Sequence, residues 1–243
     1  MFVKKFRIGV QSWCFRTFKT TDEVIAAVQA SGLDALELCG VHLDLRDPAA
    51  VDAALARYRE SGITISSFGV AGMPNDETAC RPLFEFARKS GFTAISADPD
   101  PAAFALLEGL CTEYSVNIAI HNHGRRHRWG SVRELETVFA KTSPCIGLCL
   151  DTAWMLDSGE NPVKIARHFA DRLYGVHIKD FTFKADGSAE DVIVGTGNLQ
   201  LPALFTALQE INFTGYTTLE YEGDEQNPVP SVQACVAELK KIG

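Results

Sequence analysis

The sequence is short of what would mark a nucleic-acid binder, a membrane protein or a disulfide-stapled secreted module. Its 243 residues hold 23 lysines and arginines against 31 aspartates and glutamates, a formal net charge of −8. That balance opposes the phosphate attraction behind non-specific nucleic-acid binding, and the one basic cluster, Arg125 to Arg128, is short. No stretch approaches the roughly 20 apolar residues that span a bilayer. The opening MFVKKFRIGV has two lysines but lacks the run of about seven or more apolar residues that a secretory leader needs. The cysteines (Cys14, Cys39, Cys80, Cys111, Cys145, Cys149 and Cys235) are odd in number and form no C-x-x-C pair, which leaves zinc-finger and redox motifs unsupported. Reduced, buried thiols in a cytoplasmic protein are the expectation. Linkers and low-complexity tracts are missing too, so one domain over residues 1–243 is expected.

What is present is alternation. Short apolar runs rich in β-branched residues alternate eight times with longer segments of helical period, the pattern of βα units around a parallel sheet. The spacing predicts strands at Arg7–Ser12, Ala35–Leu38, Thr64–Phe68, Ala94–Ala97, Asn117–His121, Ile146–Asp151, Tyr174–Lys179 and Tyr216–Glu220, each followed by a helix. Thr20 with Glu23 and Ser131 with Glu134 have capping-box spacing. Asp47-Pro48 and Asn161-Pro162 set an N-cap residue before a proline at the first helical position. Gly32, Gly62 and Gly91, each between a serine and an apolar residue, mark three helix ends about thirty residues apart. Eight such units in a chain of this length predict an α/β fold, a single (β/α)8 TIM barrel. A doubly wound sheet competes, but it should carry a glycine-rich phosphate loop after its first strand, where this chain reads GVQSWCFR.

Chemistry in such a barrel sits at the C-terminal ends of the strands. Those positions are polar here: Gln11 and Ser12, Glu37, Asp98, His121 with His123, Asp151, His177 with Lys179, and Glu220. The last four strands read IAIHNHG, GLCLDTAW, GVHIKDF and TLEYEGD, each running apolar residues into groups with a lone pair to offer. One such residue is commonly a satisfied polar group of the barrel mouth. Two imidazoles and two carboxylates buried together cost on the order of several kcal/mol unless compensated, and a divalent cation compensates them directly. His121, Asp151, His177 and Glu220 are therefore expected to hold one divalent ion, the competing expectation being a hydrogen-bonded structural ring. The mixture of nitrogen and oxygen suits Zn, Mn, Co or Fe and leaves Mg open. Alternation puts Lys179 on the side of His177, puts His123 on the side of His121, and turns Asp180 away toward a helix or loop. Trp13, Trp154 and Phe15 are expected pocket walls, and Arg16 and Arg125 expected hydroxyl or phosphate contacts, with core packing and solvated surface as the plainer alternatives.

These motifs, in this order, resemble the sugar phosphate isomerase/epimerase family of xylose-isomerase-like barrels. The resemblance runs from GVQSWCFR through DALELCG (34–40) to GTGN (195–198), and is strongest at LDTAW, VHIKDF and LEYEG. It implies a metal at the ends of strands five to eight, commonly held by Glu, Asp, His and Glu. Asp151, His177 and Glu220 take the last three places, and His121 stands where many members have glutamate. The His121-Asn122-His123 reading marks a branch that includes sequences resembling inosose dehydratases and keto-sugar enzymes. The resemblance further implies an isomerase or epimerase of a sugar or keto-sugar, in which a base removes the proton beside a carbonyl and the metal stabilises the enediolate. Glu220 is the first candidate base, Glu37 the second, Lys179 a stabiliser of the oxyanion, and His123, Trp13, Trp154 and Arg16 substrate contacts. With His121 in place of one glutamate, the two-glutamate proton exchange of the epimerases does not carry over directly. If the enediolate bears a leaving group the outcome is elimination, so a keto-sugar dehydratase or lyase is the nearest alternative. An endonuclease IV-like nuclease would need a larger zinc cluster and a DNA-binding surface, and a barrel that only binds sugar is a third class. The expected partner is a small sugar or keto-sugar, with neither nucleic acid nor membrane, and self-association into a homo-oligomer is compatible with the sequence.

Overall fold

The apolar runs pair side by side as parallel strands in the computed structural model, which describes residues 6–242. The lysines of the opening segment, on which the leader reading rests, lie outside the described residues. The strands are β1 (Arg7–Gln11), β2 (Ala35–Leu38), β3 (Thr64–Phe68), β4 (Ala71–Met73), β5 (Ala94–Pro99), β6 (Asn117–His121), β7 (Ile146–Asp151), β8 (Leu173–Ile178), β9 (Asp180–Phe183), β10 (Ala189–Val192) and β11 (Tyr216–Leu219). The helices are α1 (Thr21–Ala30), α2 (Pro48–Glu60), α3 (Glu77–Ser90), α4 (Phe104–Tyr114), α5 (Val132–Phe139), α6 (Thr152–Asp157), α7 (Pro162–His168), α8 (Leu201–Glu210) and α9 (Val229–Lys240). The main sheet runs β3-β2-β1-β11-β8-β7-β6-β5-β4, every pair parallel. This is a nearly closed TIM barrel, as the sequence predicts.

Three features depart from the predicted pattern. The third barrel strand is two strands: β3 pairs with β2, β4 pairs with β5, and Gly69 and Val70 carry the chain from one to the other. Gly69 donates its N–H to the Leu38 carbonyl at 2.8 Å. A Cβ there would stand 2.3 Å from the Ser96 carbonyl oxygen, so the break demands glycine. The seventh strand, β8, leads not into a helix but into the antiparallel hairpin β9–β10, whose turn holds Gly187 at φ 79°. The chemistry-bearing ends also stand just past their strands: Ser12 opens a short 3-10 helix, and Lys179 and Glu220 each follow the last paired residue.

The helix caps behave as their chemistry requires. Thr20 and Glu23 form a complete capping box. Ser131 accepts from the Glu134 N–H but gives its own hydroxyl proton to the Glu134 carboxylate at 2.6 Å, so only half the box forms. Asp47 and Asn161 each accept two first-turn N–H groups. Gly32, Gly62 and Gly91 all have positive φ.

Along each strand, alternate residues divide between two environments. Leu36, Ile118, Ile120, Leu148, Leu150, Val176 and Ile178 are fully buried in the apolar core cluster. The other set leads to the polar ends, and the residue two places before Gln11, Glu37, His121, Asp151, His177 and Glu220 is in turn Gly9, Ala35, Ala119, Cys149, Gly175 and Thr218. All are small. Among the described residues no helix is long and apolar enough to cross a membrane, and all seven cysteines are free.

Candidate metal centre

Strands β6, β7 and β8 and the residue after β11 bring His121, Asp151, His177 and Glu220 together. One donor atom from each lies within 4.8 Å of the others, and all four residues are buried. Neighbouring polar groups fix their heights. Asn122 continues the pairing of β6 with β7 through its side chain, donating to the Asp151 carbonyl at 2.9 Å and accepting the Asp151 N–H at 2.8 Å. Asp151 caps α6, its Oδ1 accepting the Trp154 N–H at 2.8 Å, which leaves Oδ2 for the site. Thr152 gives its hydroxyl proton to the Lys179 carbonyl at 2.6 Å and holds the end of β8. Glu37 lies 3.1 Å from His177 Nε2 and accepts from Gln11 Nε2 at 2.9 Å, so the far edge of the imidazole is oriented by a carboxylate. The near edge, Nδ1, stands 2.8 Å from Glu220 Oε2.

Two atoms decide whether the cluster suits an ion or a self-contained polar ring. Among the described residues, His121 Nε2 and Asp151 Oδ2 are buried without a hydrogen-bond partner. They are 3.6 Å apart, and His121 Nε2 is 3.7 Å from Glu220 Oε2, too long for hydrogen bonds. Donors that share one ion at about 2.1 Å stand roughly 3–3.5 Å from one another. A structural ring would have closed these contacts; the spacing left open is that of a coordination shell, and two imidazoles with two carboxylates fit a divalent cation.

The electrostatics show the same need. Burial opposes charge on Glu220, His177 and His121, but other forces outweigh it. Lys179, His121 and His177 hold Glu220 well below the usual carboxylate range. Cys149, Glu37 and Glu220 hold His177 well above the usual histidine range. Against the same burial, Asp151 and Glu220 push His121 up to about 9. Protons on the imidazoles thus stand in for the positive charge the carboxylates require, and a metal ion competes with them for the same nitrogens.

A cleft of about 500 Å³ opens over the cluster, and Glu220 reaches it. Of the predicted contacts, Trp13, Trp154 and His123 line it. His123 sits 3.4 Å from His121 through their ring nitrogens, and burial first, then His121 and His127, push its pKa down to about 3, leaving a neutral ring able to donate and accept. Arg16 is not among the lining residues: its guanidinium donates to the Trp13 and Glu222 carbonyls at 3.2 and 2.9 Å and fixes that loop. Arg125 donates to the Gly187 carbonyl and faces Asp157, while Asp98 pairs with Arg128 and His127. Phe15 is core, fully buried, not a pocket wall. Glu37 lies below the cluster and does not line the cleft.

Lys179 is 1% exposed. It touches Glu222, with Asp191 at 3.6 Å and Glu220 at 4.0 Å. Burial opposes its charge, but Glu220, Asp151, Glu222 and Asp191 prevail and raise its pKa, so it is a fixed cation among carboxylates. The sequence reading overlooked Glu222, which lines the cleft and accepts from Trp13 Nε1 at 3.1 Å. Its signal was there, since it lies two residues beyond Glu220. It also overlooked Asn122 as the strand clamp and Asp191, whose carboxylate arrives on the hairpin to accept the Glu222 N–H at 3.0 Å.

Known proteins with similar chains include inosose dehydratases and a 3-keto-D-glucoside 4-epimerase. The inosose dehydratase of Clostridium tetani is 25% identical over 199 residues, covering 75% of this chain and 64% of its own length. This chain therefore spans just under two thirds of that relative. Among solved structures, the 3-keto-D-glucoside 4-epimerase of E. coli superposes with a TM-score of 0.75 at 16% identity, over 98% of this chain and all of that one. The IolI protein, whose structure holds a zinc atom, superposes with a TM-score of 0.76 at 17% identity over 98% of both chains. A sequence profile matches residues 102–242, the half of the chain that supplies all four clustered residues, and by that match the chain belongs to the xylose isomerase-like TIM barrel family.

Proposed function

We propose that the chain is a divalent-metal-dependent enzyme that removes a proton beside the carbonyl of a keto-sugar and returns it, isomerising or epimerising the substrate. The observation that carries this is the pair of orphaned buried donors, His121 Nε2 and Asp151 Oδ2, completed by His177 and Glu220 beneath a cleft with room for a sugar. These four residues would hold the ion, which when bound supplies a Lewis acid for the substrate oxygens. Glu220 is the base: Lys179, His121 and His177 keep it ionised in the resting site, the state from which it accepts a proton. Glu222, tied to Lys179 and Trp13, is a second carboxylate lining the cleft. His123 offers a neutral ring to substrate hydroxyls, and Trp13 and Trp154 wall the sugar. Glu37 orients His177 rather than touching substrate. Glu37→Gln is accordingly expected to weaken metal binding by about 10–100-fold, read by calorimetric titration, and, because Glu37 also pairs with the buried His177 imidazolium, to lower the melting temperature of the metal-free protein.

A second reading uses the same proton removal. If the carbon beyond the one deprotonated bears a hydroxyl, its C–O bond breaks, the oxygen leaves with the electron pair and a proton, and the product is lighter by one water. The similarity to inosose dehydratases favours this reading. A screen of ketoses, inososes and 3-keto-glycosides followed by mass spectrometry separates the two: a mass-neutral change supports isomerisation, loss of water or of an aglycone supports elimination. On whichever substrate turns over, Glu220→Gln is expected to cost about 10²–10⁴-fold in kcat while the protein stays folded. Unchanged kcat removes Glu220 as base, and activity that survives EDTA in protein free of divalent metal removes the metal from the proposal.

A further inference from the structure

Beneath the candidate metal centre the barrel is hollow. An α/β barrel ordinarily fills its interior with layers of bulky Val, Ile and Leu. Here the layer under the polar ends is the ring of glycine, alanine, cysteine and threonine described above. A cavity of about 410 Å³ results, reaching from Glu37 and Cys149 past Ala119 and Thr218 to the strand starts, where Arg7, Asn117 and Tyr216 rim it. Its wall is hydroxylic. Ser66, Ser90 and Ser96 line it, and the Oγ atom of each is buried without a hydrogen-bond partner among the described residues. Ser96 is only 2% exposed and Ser66 only 8%. Cavities lined by apolar groups stay dry, whereas polar ones with room well beyond the ~30 Å³ share of one water fill with it. Buried hydroxyls find partners, in protein or in ordered water.

We propose that this cavity is a hydrated shaft, a binding site for a file of ordered waters that joins solvent at the N-terminal face of the barrel to the floor of the metal centre beneath Glu37. The waters partner the three serine hydroxyls and the underside of the Glu37 carboxylate. Solvent then reaches the Glu37–His177 edge without passing the cleft, and that edge stays wet when the cleft is occupied. The proposal does not rest on which reaction the cleft performs.

The crystal structure of the unaltered protein and ¹⁷O relaxation dispersion of its solution test this together. Expected are ordered waters bonded to Ser66 and Ser96 Oγ and reaching Glu37, and a population of long-lived internal waters. In Ala119→Leu, whose new side chain projects into the shaft from outside the catalytic machinery, several of those long-lived waters should be lost. A dry cavity in the map, or one closed by repacked side chains, overturns the proposal, as does an unchanged count of long-lived waters in the variant. If Ala119→Leu does not fold, the map of the unaltered protein alone decides.

Discussion

Protein carrying Asp151→Asn is expected to bind divalent cations at least about 100-fold more weakly than the unaltered chain, with turnover falling in step. The substitution is chosen for what it leaves alone. The amide oxygen still accepts the Trp154 N–H, so the cap of α6 survives, and the Asn122 clamp acts on the Asp151 backbone, which does not change. What changes is the atom facing His121, where an orphaned carboxylate oxygen becomes an NH2 group with no lone pair for a cation. Loss of a mere orienting partner around a metal site costs about 10–100-fold, so loss of a donor lies at or above the top of that range. Titration calorimetry with Zn or Mn measures it. Thermal melting gives a second reading: metal at 100 times its Kd stabilises the unaltered protein by about 2.7 kcal/mol, and that gain should vanish in the variant. Equal affinity in the two proteins would dismiss Asp151 as a donor.

Asp180→Ala should give the largest loss of stability. The residue is fully buried, and its carboxylate gathers three backbone donors from one turn: Gly195 and Gly197 at 2.9 Å on Oδ2 and Leu199 at 2.8 Å on Oδ1. Each donor left unpaired costs about 1–3 kcal/mol, and removing one partner of a buried charged contact costs about 3–5 kcal/mol. A loss of about 3–5 kcal/mol in urea unfolding is expected. At roughly 2–4 °C per kcal/mol for a domain of this size, the melting temperature falls by about 10 °C. A loss below about 1 kcal/mol would mean that the turn holds itself.

Asp180 also shows where reading the sequence stops. Alternation correctly turned it away from the site, but its role depends on a turn fifteen and more residues later, and no local pattern announces such bonds. Periodicity served well where structure is local and repeated. The βα alternation located every barrel strand but β4, and the lone-pair groups at the last four strand ends located the cluster, because a barrel converts position along a strand into height at its mouth. The predicted Thr64–Phe68 matches β3; β4, Ala71–Met73, went unpredicted because three residues around a glycine carry no strand signal of their own. The hairpin after β8 did leave a mark: Asp186-Gly187 between short alternating runs is a hairpin turn signal, overridden by the expectation of a helix. Arg16 and Phe15 were plausible by sequence neighbourhood alone, and the structure assigns one to loop carbonyls and the other to the core.

With Gly9, Ala119, Cys149 and Gly175 below them, the side chains of the metal centre are not propped from beneath. Their rigidity is lateral, supplied by polar bonds that are stiff along their own directions: Gln11 to Glu37, Glu37 to His177, Asn122 and Trp154 to Asp151. Among the described residues His121 has no such tether. Its hydrogen-bond contact is with His123, itself at the edge of the cleft, and its ring leans on His123 and His177 at 4.3 and 4.7 Å. The centre is therefore compliant on one side only, and in the proposed role ions of different radius would be accommodated by the give of His121 while Asp151 and His177 keep their places.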